Sequence, residues 1–223
     1  MNIKLFFEAI IKITLGILLM ILLIFAPANT FAYWNGWLLI GLLFVPMFVA
    51  GIVMMIKTPE LLKKRLNMKE KQKEQKLVIF LSSLMFVSGF VIAGLNFRYN
   101  WIMIPNFVVI IASILFVFSY LMYAEVLREN QYLSRTIEVQ ENQKVVDTGL
   151  YGIVRHPMYA ATIILFLSMP LILGSIISFI IFLLYPIIIV KRIKNEEEVL
   201  EKGLDGYAEY KNKVKYKIIP FVW

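Results

Sequence analysis

The side chains that could do chemistry are concentrated in two polar runs near the end of the chain, 123–157 and 191–210. In the second run Arg192 and Glu196 stand four residues apart, so a helix would place them on one face. Opposite charges at this spacing could hold a charged small molecule, and they could equally form an ion pair at a solvated helix exit. His156, the only histidine, is the one candidate for proton transfer near neutral pH.

The composition limits the chemistry further. The 223 residues include no cysteine, which excludes a cysteine nucleophile, a thiolate-bound zinc site and an iron–sulfur cluster. One histidine cannot form a histidine cluster, so no metal site is expected. Apolar residues make up 60% of the chain and charged residues 17%, against about 45–50% and about 25% in soluble domains. A soluble cytosolic domain is therefore excluded.

The elements that must position these residues are membrane helices. Four apolar blocks of spanning length occur before residue 123: Ile13–Ala26 with its N-terminal extension Leu5–Ile11, Trp37–Ile56, Leu77–Leu95 and Ile102–Met122. Two shorter blocks, Met158–Leu173 and Ile176–Val190, are separated only by Gly174-Ser175, which predicts a helical hairpin. We expect an all-α polytopic membrane bundle of about six spans, divided into a four-span region 1–122 and a C-terminal region 123–223 with the hairpin at 158–190.

The charged residues predict the orientation of this bundle. In a six-span arrangement, every acidic residue and every basic residue except Arg98 falls on one side of the membrane. By the positive-inside rule that side is the cytoplasm, so both termini are expected there, with the cell's inner membrane as the expected location. The net charge of +8 is then mainly a signal of topology.

The two main cytoplasmic segments differ in character. Lys57–Lys76 is interpreted as an orientation signal rather than a nucleic-acid surface, because no aromatic residue is present to stack on bases. In Tyr123–Pro157, the fourth helix is expected to continue to about Tyr132, followed by an extended stretch over Arg135–Val146 and a turn at Asp147–Gly149. Both ends of the hairpin open onto the same surface, so a site formed here lies at the membrane interface.

The C-terminal motifs resemble those of a known family. The motifs, in chain order, are G-x-Y-x-x-x-R-H-P-x-Y at Gly149–Tyr159, two short helices, E-E-x-x-L at Glu196–Leu200, Y-x-x-Y at Tyr207–Tyr210, and Ile219-Pro220. This ordered set is similar to the isoprenylcysteine carboxyl methyltransferase family. The four N-terminal spans are similar to that family only in being membrane helices.

The resemblance implies S-adenosylmethionine as methyl donor, bound in a cytosolic pocket formed by the 123–157 segment and the tail. The cofactor contacts implied by position are Gln140, Gln143, Lys144, Val145, Val146, Tyr151, His156, Pro157, Met158, Tyr159 and Glu196. Arg192 corresponds to the family's substrate-side arginine. The residue types suit these roles, because a carboxylate can hold an amino or hydroxyl group and tyrosine rings can face the adenine or the sulfonium cation.

The implied reaction is in-line methyl transfer to a lipophilic or prenylated acceptor held in the lipid bilayer. A carboxylate acceptor is already ionised and needs no general base, so proximity, orientation and desolvation would supply the catalysis, with Arg192 clamping the carboxylate. An amine acceptor would need a base, and the scarcity of histidine favours an oxygen nucleophile.

Some features depart from the family's eukaryotic pattern, and alternatives remain open. Gln143 stands where a histidine is usual, and Leu204–Gly206 replaces the expected Phe-Gly. These departures leave the prenyl-cysteine substrate open. The alternatives are a phospholipid amine N-methyltransferase, a nicotinamide-dependent membrane reductase with a similar hairpin, and a non-enzymatic membrane protein.

Overall fold

The computed structural model describes residues 3–66, 73–134 and 136–223. Two earlier expectations fall partly outside this range: residues 67–72 belong to the charged Lys57–Lys76 loop, and Arg135 begins the stretch predicted to be extended. The helices in the described residues are α1 Ile3–Ala28, α2 Trp34–Lys57, α3 Pro59–Leu66, α4 Lys73–Tyr99, α5 Asn106–Glu129, α6 Pro157–Ile172, α7 Ile176–Phe182, α8 Leu184–Gly203 and α9 Tyr207–Lys213.

The apolar lengths of these helices confirm an all-α polytopic membrane bundle. In the described part of the chain, five helical stretches are long and apolar enough to cross a membrane: α1, α2, α4 from Gln75, α5, and α7 with α8 taken together. The shorter apolar helix α6 packs mainly along α5. The chain is therefore an integral membrane protein in which α6, α7 and α8 form the expected hairpin.

The second arm of the hairpin is not the single helix predicted for Ile176–Val190. It breaks at Leu183 into α7 and α8. Pro186 has no N–H to offer the carbonyl of Phe182, and its ring crowds that carbonyl, so the break lies just before the first turn of α8. Beyond Val190, α8 continues without interruption to Gly203. The polar residues at the start of the tail therefore lie on one continuous helix.

The tip of the hairpin is held by the connection between α1 and α2. The last carbonyls of a helix have no partner within it, and in lipid they must be satisfied by neighbours. Here Tyr33 donates its hydroxyl hydrogen to the carbonyl of Leu173, and Asn35 Nδ2 donates to the carbonyl of Ile172 at 2.7 Å. Gly174, at φ +74°, then allows the tight turn into α7. The N-terminal spans thereby fix the hairpin in place.

Helix α4 is the element against which both α1 and the hairpin pack closely, and glycines permit this. A Cβ atom added at Gly94 would lie 2.5 Å from the carbonyl oxygen of Ile24, and one at Gly89 would lie 2.3 Å from the ring of Phe182. Small residues at such crossings let membrane helices approach until their backbones touch. The position of α4, and with it the polar side chains at its start, depends on these contacts.

We expect Gly94→Ala to lower the thermal stability of the purified protein in detergent. The added methyl must displace α1 or α4, which costs roughly 1–3 kcal/mol as for other overpacked cores. Gly41→Ala is the matched control, because nothing lies within 4 Å of a Cβ there and alanine favours the helix. Circular dichroism melting curves compare the two variants, and equal midpoints would show that the close α1–α4 approach is unimportant.

Candidate functional site

A pocket opens at the end of the bundle where the charged residues are gathered. The space that it encloses, counted with its open mouth, is about 840 Å³. The walls are formed by the segment that follows α5, the 3₁₀ turn Gly149–Gly152, the start of α6, the polar half of α8, and α9. Ten of the residues predicted for the site line it: Gln143, Lys144, Val145, Val146, Tyr151, His156, Met158, Tyr159, Arg192 and Glu196.

The other two predicted residues, Gln140 and Pro157, lie behind the walls. Gln140 Nε2 donates to the carbonyl of Tyr132, and its Oε1 accepts from Lys64 Nζ, each at 2.5 Å. Pro157 is buried at the first position of α6, where a residue without an N–H leaves no donor unsatisfied. These two residues shape the pocket from outside it.

The segment that roofs the pocket is irregular. Helix α5 ends at Glu129, three residues before the predicted Tyr132, and the described residues from 136 to 146 form no strand, because no second strand lies beside them. The chain turns at Asn142, at φ +57°, and Gln143 Oε1 accepts from the N–H of Gln140 at 2.9 Å. The predicted turn then leads into the 3₁₀ turn at Gly149, at φ +55°.

Tyr159 joins the two charged residues that the sequence placed on one face of α8. Its hydroxyl donates to Glu196 Oε2 and accepts from Arg192 Nε at 2.8 Å. Arg192 Nη1 also donates to Oε1 of the buried Gln75, at 2.9 Å, and Gln75 Nε2 donates to Asn195 Oδ1 at 2.7 Å. The predicted Arg–Glu pair is therefore bridged by a tyrosine and oriented by a residue of α4.

Glu197, next to Glu196, is turned away from the pocket centre and buried. Its Oε1 accepts from Arg155 Nε at 2.8 Å and lies 3.1 Å from His156 Nε2, while its Oε2 lies 3.2 Å from Lys217 Nζ. Two adjacent glutamates on one helix must face different surroundings, and this was the signal in the sequence that could have indicated the cluster.

The Glu197 cluster ties the start of α6 to the tail. Arg155 Nη1 donates to the carbonyls of Val214 and Lys215 at 2.7 and 2.8 Å. The backbone N–H groups of Arg155 and His156 donate to the carbonyls of Tyr216 and Lys217. His156 thus stands in the pocket wall with its imidazole against Glu197.

Three tyrosines close the far side of the pocket. Asn130 Nδ2 donates to the Tyr151 hydroxyl at 3.0 Å, and Tyr210 donates to the carbonyl of Tyr151 at 2.8 Å. The Tyr207 hydroxyl is buried and finds no hydrogen-bond partner among the described residues. Burial raises the pKa of all three phenols, most directly by desolvation, so each stays protonated at neutral pH.

The donor set suits an organic ligand. Among the residues that the structure describes, no group of three or more His, Asp or Glu side chains could hold a metal ion. The pocket instead combines the carboxylates of Glu138 and Glu196, the guanidinium groups of Arg155 and Arg192, one lysine, one histidine, tyrosine rings and aliphatic side chains. Such a lining can hold a molecule with charged groups at one end and an apolar or aromatic portion at the other.

The fold and the pocket define a polytopic helical membrane protein with a pocket at its charged end. Residues 112–202 match the model of the isoprenylcysteine carboxyl methyltransferase (ICMT) family. The match runs from within α5 to the end of α8 and confirms the resemblance indicated by the motifs. It supports a membrane methyltransferase.

The chain is also similar to a sterol reductase. A delta(14)-sterol reductase, TM7SF2 of Mus musculus, is 31% identical over 91 residues, which are 40% of this chain. The matched segment spans only 22% of the length of that reductase.

Proposed function

We propose that this protein transfers the methyl group of S-adenosylmethionine to a lipophilic acceptor in the membrane, at a carboxylate such as that of a prenylated cysteine. The observation that carries the proposal is the Tyr159 hydroxyl, which joins Arg192 and Glu196 inside a pocket at the membrane boundary. The match to the ICMT family supports it.

The residues of the pocket fit this cofactor. S-adenosylmethionine carries an ammonium group, a carboxylate, a sulfonium cation and a flat nucleoside. The Glu196 carboxylate can accept from an ammonium or hydroxyl group, and the rings of Tyr151 and Tyr159 can face a cation. The buried, unpaired hydroxyl of Tyr207 is a further donor for the ligand. The ammonium, hydroxyl and sulfonium groups of the cofactor therefore each have a matching side chain in the pocket.

The chemistry needs little from the protein beyond positioning. S-adenosylmethionine supplies an electrophilic methyl group, which an acceptor carboxylate oxygen can take as the sulfur–carbon bond breaks. Arg192, oriented by Tyr159 and Gln75, lies in the pocket wall, and its planar guanidinium suits contact with that carboxylate. No residue has to remove a proton, so the walls contribute orientation and the exclusion of water.

The orientation of the bundle belongs to the same proposal. The pocket lies at the end that carries nearly all the charged residues, so the positive-inside rule places it and both termini in the cytoplasm, with the inner membrane as the location. The cofactor then enters from water and the acceptor from lipid. Residues 123–223 would form the catalytic region and residues 1–122 the spanning support.

A nicotinamide-dependent reductase is the second candidate, favoured by the similarity to TM7SF2. The nicotinamide cofactor of such a reductase would bring several phosphate charges into the pocket. Part of the positive charge there is already neutralised by protein groups. Arg155 is paired with the buried Glu197. Glu138 and Glu196 also line the pocket and would repel phosphate. The charges that line the pocket therefore favour S-adenosylmethionine over a nicotinamide cofactor.

Calorimetry on the purified protein separates the candidates, with S-adenosylmethionine and NADPH titrated in parallel. Binding of S-adenosylmethionine alone supports the methyltransferase, and binding of NADPH alone supports the reductase. If neither binds, the protein is not an enzyme of either kind.

We expect Glu196→Ala to weaken the affinity for S-adenosylmethionine at least about tenfold, the loss typical of one charge-assisted hydrogen bond. Glu198→Ala is the matched control, since Glu198 is exposed on the same helix and does not line the pocket. Calorimetry measures both variants. An unchanged affinity for Glu196→Ala would remove this carboxylate from the binding site.

A further inference from the structure

Tyr207 begins α9, and its ring closes the pocket at the side farthest along α8 from the membrane. The chain reaches this position through Gly206, whose φ of +81° reverses its direction after α8. The ring packs with Leu204, Tyr210 and Val214. Only 4% of Tyr207 is exposed, so its hydroxyl has no ready access to bulk water.

The Tyr207 hydroxyl is an exception within its own cluster, because it has no hydrogen-bond partner in the part of the chain that the structure describes. The neighbouring Tyr210 donates to the carbonyl of Tyr151, and the Tyr151 hydroxyl accepts from Asn130. A buried hydroxyl left without a partner costs about 1–3 kcal/mol, so a group that meets no protein acceptor in a pocket wall is suited to a ligand acceptor. Its protonated state, maintained by burial, makes it a donor.

The pocket wall formed by α8 changes from charged to apolar with distance from the membrane. Arg192 and Glu196 line the pocket nearest the apolar part of the helix, and Leu200 and Leu204 follow at further steps of four residues. Four residues of a helix rise about 6 Å. The pocket therefore has a charged half next to an apolar half. Val145 and Tyr210 add to the apolar half.

A ligand that spans both halves must be charged near the membrane and flat and apolar away from it. In S-adenosylmethionine the sulfonium joins a charged amino-acid half to the nucleoside, and the ammonium group of the charged half matches Glu196 at the membrane-proximal side of the pocket. The nucleoside end then falls between Leu200, Leu204 and Tyr207.

We propose that Tyr207 and the leucines Leu200 and Leu204 form the subsite for the adenine base of the cofactor, with the Tyr207 hydroxyl donating a hydrogen bond to an acceptor atom of the base. This inference rests on the proposed function, because it assumes an adenosyl cofactor. The apolar side chains exclude water from the base, and the hydroxyl supplies its polar contact.

The test measures binding to the purified full-length protein with two probes. S-adenosylhomocysteine contains both halves of the cofactor, whereas 5′-methylthioadenosine lacks the amino-acid half. Tyr207→Phe should weaken both by the same factor, about five- to tenfold, since the lost hydrogen bond is to the base. Tyr216→Phe, a tyrosine outside the pocket, should leave both affinities unchanged. Tyr207→Phe should also melt no lower than wild type without ligand, because its hydroxyl has no partner to lose.

The remaining outcomes contradict either the assignment of Tyr207 to the base or the proposed function. If Tyr207→Phe weakens S-adenosylhomocysteine alone, the hydroxyl contacts the amino-acid half and the base assignment is wrong. Unchanged affinities for both probes would show that the hydroxyl does not serve the base. A lower melting temperature without ligand would show that the hydroxyl has a partner within the protein, which contradicts the premise of the proposal. If the wild-type protein binds neither probe, the proposed function itself fails.

Discussion

Replacing Glu197 with alanine is expected to destabilise the protein by about 3–5 kcal/mol, the cost of removing one partner from a buried ion pair. The substitution leaves Arg155 buried, with 4% of its side chain exposed, and without its carboxylate. His156 and Lys217 lose their contact with the same group. The tail from Val214 to Lys217 should then separate from the start of α6. Melting of the purified protein in detergent, together with limited proteolysis of the tail, measures the effect.

The neighbouring glutamate provides the control for this prediction. Glu198→Ala removes the same charge from an exposed position on α8 and should change the midpoint little. Glu197→Gln should fall between the two, because an amide can still accept from Arg155. If Glu197→Ala and Glu198→Ala melted alike, the buried cluster would not hold the tail.

The parts of the fold that the sequence predicted are those with local causes. Apolar length predicted the spans, and the tight Gly174-Ser175 connection predicted the hairpin. No helix-breaking residue directly follows Val190, so the helix is expected to continue past it. This continuation places Arg192 and Glu196 on one face. In each case the residues that decide the structure are close in sequence.

The parts that the sequence did not predict depend on contacts between distant residues. Gln75 lay in a run of charged residues and had no feature to mark it as the partner of Arg192, 117 positions later. The β-branched residues of the roof suggested an extended segment, but a strand needs a neighbouring strand, and none forms in the described residues. Glu197 and Arg155 were both within the recognised motifs, yet only packing shows that they pair.

The contacts of α3 change the interpretation of the charged loop. From its sequence, Lys57–Lys76 is interpreted only as an orientation signal. In the structure Lys64 donates to Gln140, and Arg65 Nη1 donates to the carbonyl of Ser134 at 3.3 Å, so α3 supports the roof of the pocket. The division at residue 122 stays a prediction, and the two regions meet in several polar contacts near the pocket.

We expect Arg192→Ala to abolish methyl transfer, with a loss of at least about a hundredfold, while it spares the affinity for S-adenosylmethionine. A misplaced acceptor alone costs about that factor, and removal of the guanidinium also leaves the acceptor carboxylate without its clamp. Arg192→Lys should recover only part of the activity, because an ammonium group cannot form the bidentate contact. Lys194→Ala, which removes an exposed cation from the same helix, should retain full activity.

The assay for Arg192 also identifies the acceptor group. Protein in membranes is supplied with S-adenosylmethionine labelled in the methyl group and a total lipid and membrane-protein extract, and the labelled product is treated with base. A methyl ester releases labelled methanol, whereas an N-methyl group keeps its label. Because Arg192 is proposed to hold a carboxylate, the base-labile label should be the fraction that disappears in Arg192→Ala. A base-stable product would indicate an amine acceptor, and full transfer by Arg192→Ala would show that this residue is not the clamp.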